Sequence, residues 1–226
     1  TINFKDKNGL KQGYWKEKDR AITSKGYYKD DVKHGIWTKY YPKGTVSDVK
    51  NYKNGKQDGI SLHFEQRGYL RSEKYFKNGE LHGLAKTYRY GSTPKSKINY
   101  RHGKKHGKAQ LYYENGKLQE VAYYENDLRD SITTWYTMKG KKVAEFNYED
   151  GEFSGVQKTY YENDSLRSIE NYENNVSVGL YKEFHPNGKL KLTGEYKDGK
   201  KHGKWFEYNE DGTLKEEKKY KMGEEK

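Results

Sequence analysis

No cysteine occurs in the chain, so disulfides, thiolate zinc sites and cysteine nucleophiles are excluded. No apolar run approaches the roughly 20 residues that cross a bilayer as a helix, and no signal peptide is visible. Apolar residues make up only 31% of the sequence, against 35% charged residues. That balance, with a net charge of +12, is the compositional mark of disorder. The chain opens on Thr1 rather than Met, as expected where something upstream has been cut or left out.

The scarce apolar residues sit at fixed phase, and this outweighs composition. Counting back by 24 from Tyr220 lands on Tyr196, Tyr172, Tyr148, Tyr124, Tyr100, Phe76, Tyr52, Tyr28 and Phe4, every one aromatic. A fixed period of this length marks a stacked repeat array. The aromatics are mostly Tyr, 24 against 7 Phe, which suits a thin sheet with one apolar side and a wet rim better than a sealed core.

Each period contains a hinge glycine: Gly13, then Gly35, Gly59, Gly83, Gly107, Gly155, Gly179 and Gly203, with Ser131 in the one remaining place. One residue on, the side chain is usually aliphatic (Ile36, Ile60, Leu84, Ile132, Val156, Leu180), and five residues on it is aromatic. Equal parity places these two positions on one face of a strand. Nine residues after the hinge a Gly recurs, often behind Asn or Asp, which predicts a type I′ hairpin turn there. A second strand and a second glycine turn follow, with Asp127 and Asn175 standing in for Gly as left-handed residues. The reading is an all-β fold: an elongated single-sheet array of stacked antiparallel β-hairpins with a 24-residue repeat. Residues 1–226 form one repeat domain of about nine hairpins, with 1–27 as an atypical N-terminal capping unit.

The recurring Tyr-Lys-(Asn/Asp)-Gly-Lys-x-x-Gly, followed by Tyr-Tyr-x-(Asn)-Gly-Lys-Leu, resembles the MORN repeat in the bacterial variant form grouped with YwqK-like antitoxins. The resemblance implies hairpins stacked into a twisted antiparallel sheet that binds proteins or phospholipids, usually without catalysis. It transfers architecture better than activity.

Little in the chain suggests chemistry. Gly103-Lys-Lys-His-Gly107 and Gly199-Lys-Lys-His-Gly203 have three residues between their glycines and run on into strands, whereas a phosphate loop needs four and a helix. His34, His82, His106 and His202 share one phase, but neighbouring repeats are roughly 9.6 Å apart along the sheet, too far to share an ion bound at about 2 Å. No Ser/His/Asp set can be assembled. The sequence therefore calls for no enzyme, no cofactor and no metal. All four Trp lie at even offsets from the hinge, and Trp15, Trp37, Tyr41, Tyr113, Trp135, Tyr161, Tyr181 and Trp205 form the candidate binding row, expected on the face opposite the repeat aromatics. A protein partner fits best, a toxin in the antitoxin reading, with an anionic phospholipid membrane as the alternative. Nucleic acid ranks behind both, because 33 acidic residues are taken to intersperse the basic charge.

Overall fold

The structure, a computed structural model, describes residues 1–226. Strand accounts for 68% of the chain, there is no α-helix, and every ladder is antiparallel. Close contacts gather the chain into two compact units, residues 1–107 with 114–116 and residues 108–113 with 117–226. In each unit, strands pair with their neighbours in the chain. Val32–Tyr40 pairs with Val46–Lys53, which pairs with Lys56–Phe64, which pairs with Leu70–Lys77. In the second unit Ser131–Tyr136, Lys142–Glu149, Gly155–Tyr160 and Leu166–Glu173 repeat the pattern.

The two turns of each repeat differ, and they stand the other way round from the sequence expectation. The type I′ turn is the connection between hairpins: Asn54 and Gly55 both have positive φ (50° and 77°), as do Asp198 and Gly199 (49° and 74°). Asp127 and Asn175 take the second left-handed place at φ of 75° and 65°. The turn nine residues after the hinge is a three-residue loop. Gly44 N–H donates to Tyr41 O at 2.9 Å, Tyr41 N–H to Thr45 O at 2.8 Å, and only Gly44 is left-handed. That is a type I turn closed by a glycine bulge. Asn187, before Gly188, stays out of the left-handed region; its side-chain oxygen instead accepts from Lys189 N–H at 2.9 Å.

At the hinge the ladder slips. Lys50 faces Ser61 while Tyr52 faces Gln57, leaving Asn51 opposite Asp58–Ile60. Such a bulge needs a left-handed residue, and Gly59 (φ 104°), Gly155 (77°) and even Ser131 (64°) supply it. At the start of the chain the Asn3 side chain mimics a strand, accepting from Lys16 N–H at 2.7 Å and donating to Lys16 O at 3.0 Å.

Within a hairpin, even offsets from the hinge pair with odd ones: Gly35 faces Tyr52, Trp37 faces Lys50, and Thr133 faces Phe146. The 24-spaced aromatics therefore share a face with the residues two after the hinge, not one after. This corrects the expected face assignment. Parity cannot be carried through a turn: residues facing each other across either turn are an odd number apart, Lys53 from Lys56 and Lys39 from Asp48, so even and odd offsets exchange in every hairpin.

Candidate functional site

Two surfaces result, a packed tryptophan face and an exposed aliphatic face. On the first, Trp37 and Trp205 are only 4% and 3% exposed, and Thr133 at the same phase is 0% exposed. The Trp37 indole N–H donates to Tyr27 O at 3.0 Å, a carbonyl beside the hinge bulge. In a later repeat Gln157 takes that post. Its amide donates to Asn147 O at 3.0 Å and accepts from Asn147 N–H at 2.7 Å, beside the Ser154 N–H bond that the same carbonyl accepts at 3.1 Å.

The side chain two before the hinge lies over the ring. Lys33 Nζ stands 4.2 Å from the Trp37 ring centroid and 5.7 Å from Tyr52; Lys201 stands 4.3 Å from Trp205 and 5.2 Å from Tyr220. Arg129 stands 5.4 Å from Trp135 and 5.5 Å from Tyr148, and it pairs with the buried Glu120 carboxylate at 2.6 Å. Where this position is Phe153, ring contacts with Tyr148 (5.0 Å) and Tyr172 (5.4 Å) replace the cation–π pair. Lys11 lies over Trp15 and Tyr28, and its bond to the Glu17 carboxylate at 2.8 Å holds its ammonium above the usual lysine range. Shallow recesses of about 400 and 340 Å³ open beside Trp37 and Trp205.

The predicted binding row lies here, and the structure uses it for packing. Trp15, Trp37 and Trp205 are buried. Half-buried Trp135 meets Phe146 edge-on at 5.2 Å, and Tyr181 stacks on Trp205 at 5.7 Å. Burial, then the Glu183 and Glu170 carboxylates, push the Tyr181 phenol well above the usual range. Tyr41, Tyr113 and Tyr161 donate their hydroxyls to Phe64 O, Tyr136 O and Phe184 O at 2.8, 2.8 and 2.7 Å, each tying one repeat to the next. The eight residues are brought onto one kind of surface, but not as an open aromatic row.

The open surface is the other one. Ile36 is 61% exposed and Leu180 50% exposed, and Ile60, Leu84, Ile132 and Val156 repeat the position. Exposed Tyr27, Tyr75 and Tyr123 stand on the same face. Its signal in the sequence is the aliphatic residue after six of the nine hinges, which parity alone assigns to the face of the aromatics. The charge is also less mixed than the totals for the whole chain suggest. Residues 1–107 hold 25 Lys and Arg against 10 Asp and Glu; residues 108–226 hold 20 against 23. The basic excess thus lies wholly in residues 1–107, and the rest of the chain is slightly acidic.

His82 meets His102 edge-on at 5.6 Å beside a turn, and no group of three or more His, Asp or Glu is placed to hold a metal ion. No helix is long and apolar enough to cross a membrane.

Five segments, residues 33–54, 105–126, 153–174, 177–198 and 201–222, match the MORN repeat variant. No curated protein matches the chain. The same hairpin recurs between the matched segments, at Lys56–Phe64 with Leu70–Lys77 and at Ser131–Tyr136 with Lys142–Glu149. The likeness to the MORN repeat variant thus covers five segments, and the hairpins between them share the same strand pattern.

Proposed function

We propose that this protein is a non-enzymatic repeat scaffold that binds another protein through its aliphatic face. The observation that carries the reading is the set of solvent-exposed aliphatic side chains one residue after six of the nine hinges, Ile36, Ile60 and Leu84 in the first unit and Ile132, Val156 and Leu180 in the second. Exposed Ile, Leu and Val recurring at one place in successive hairpins of a unit leave apolar area open to solvent, and exposed apolar patches are characteristic of docking surfaces. MORN repeats commonly serve as binding scaffolds. An antitoxin role, in which the face masks a toxin, is the finer form of the proposal and is supported by the resemblance to YwqK-like sequences.

The test is capture from source-cell lysate with the chain as bait, alongside an Ile60→Asp/Leu84→Asp variant. Both side chains are exposed, so the variant should keep its circular dichroism spectrum. Loss of a discrete captured protein supports the reading; undiminished capture by the variant overturns it.

A second reading, peripheral binding to anionic membranes, is favoured by the basic excess of residues 1–107. Flotation with phosphatidylserine vesicles should then fall steeply with salt, and flotation indifferent to lipid charge would remove it.

A further inference from the structure

On the aliphatic face, the cross-strand pairs that close the type I′ turns sort by charge along the chain. In the first unit Lys53 faces Lys56, Lys77 faces Glu80, and Arg101 occupies the equivalent place in the next turn. In the second, Glu149 faces Glu152 and Glu173 faces Val176. Beyond that the sign reverses again, Lys197 facing Lys200. Like charges directly opposite each other destabilise a hairpin, so Lys53–Lys56 and Glu149–Glu152 work against the local fold. Each border flanks the exposed aliphatic residues of its own unit, Ile36 and Ile60 in the first, Ile132 and Val156 in the second.

We propose that the aliphatic face of the first unit docks the aliphatic face of the second unit of another copy of this chain. Stripe meets stripe, with Lys53, Lys77 and Arg101 set against Glu149, Glu152 and Glu173. The inference rests on the scaffold reading of that face and names its occupant. Two observations select a second copy over an unrelated protein. The borders are opposite in sign while the stripes are alike. Both units also carry hinges 24 residues apart, so matched contacts recur at each successive repeat, which a partner of equal period provides. A contact between unlike surfaces either forms twice about a twofold axis or propagates from copy to copy.

Sedimentation equilibrium of the full chain at physiological ionic strength tests this. Wild type should self-associate. Lys53→Glu/Lys77→Glu should weaken association by about tenfold or more, as should Glu149→Lys/Glu173→Lys, since each sets like charges together. An equimolar mixture of the two variants should recover wild-type affinity, because the reversed first unit of one then meets the reversed second unit of the other. All four side chains are exposed, so circular dichroism should not change. A monomeric wild type, association indifferent to either reversal, or a mixture no tighter than its components would each overturn the proposal. A monomeric wild type whose Ile60→Asp/Leu84→Asp variant loses its captured lysate protein would overturn self-docking while leaving the scaffold reading standing.

Discussion

Trp37 lies across Gly26 so closely that a Cβ at residue 26 would fall inside the indole, against Cγ, Cδ2 and Cε2; Trp205 lies across Gly194 in the same way. Neither glycine has positive φ, so ring space rather than backbone freedom fixes them. Gly26→Ala should lower stability by about 1–3 kcal/mol through overpacking, and Trp37→Ala by about 3–5 kcal/mol through removal of the ring. In the double variant the two costs should not add, because the alanine methyl then enters space the indole has left. Urea denaturation of the four proteins checks this, and strict additivity would mean that the two side chains do not share the space.

Ser131 occupies a hinge with φ of 64°, where the other repeats have glycine. A side chain there costs about 1–2 kcal/mol, so Ser131→Gly should raise the melting temperature. The substitution gives up an exposed hydrogen bond from Ser131 Oγ to Asp130 Oδ2 at 2.9 Å, a smaller term in open solvent. Gly155→Ala, at φ of 77°, should lower the melting temperature. Thermal melts of the pair give opposite signs if backbone conformation governs the position.

The buried Glu120 carboxylate has Arg129 at 2.6 Å, and Arg129 also donates to the fully buried Thr133 Oγ1 at 3.1 Å. Arg129→Ala should cost about 3–5 kcal/mol by leaving a buried charge without its partner. Adding Glu120→Gln to that variant should recover part of the loss, and urea midpoints report both.

Burial first, then a bond of 2.6 Å to the Glu145 carboxylate, push the Tyr160 phenol up to about 12. Burial acts against Glu145, but the Lys142 ammonium and the Tyr160 hydroxyl more than offset it and hold that carboxyl below the usual range. A raised phenol contributes stability that is complete below its ordinary value near 10 and is lost as the pH rises through the folded value. The phenolate absorbance of wild type minus that of Tyr160→Phe should therefore isolate one group titrating near pH 12. If Tyr160→Phe instead removes a step near the ordinary value of about 10, the hydroxyl stands in open solvent.

The repeat and its phase can be read from the aromatic period, because stacking demands one aromatic per hairpin at a fixed place. Most left-handed residues can be read too, since Gly, Asn and Asp accept that backbone readily; Arg20, Ser92, His102, Ser131 and Met222 take it without that signal. Which face is packed cannot be read by counting. Tyr52 is an odd number of residues from Gly35 yet lies directly opposite it, because side chains alternate within one strand while residues facing across a hairpin turn are an odd number apart. Parity carried straight through the turn sets Trp37 and Tyr52 on opposite faces, whereas the ladder sets them on one. The basic border at Lys53 and Lys77 is hidden for another reason: a charge balance summed over the whole chain averages away differences between one turn and the next.

The pairing of each strand with its chain neighbours carries a consequence for how such a chain can change in length. Removing 24 residues between two hinges, Gly59 to Gly83 for instance, returns every later side chain to the face and register it already had. Removing one residue more or fewer would turn the following strand over, sending its aliphatic residue inward and its packed side chain to solvent. Length in this protein is thus quantised, and a repeat can be gained or lost whole far more readily than any part of one.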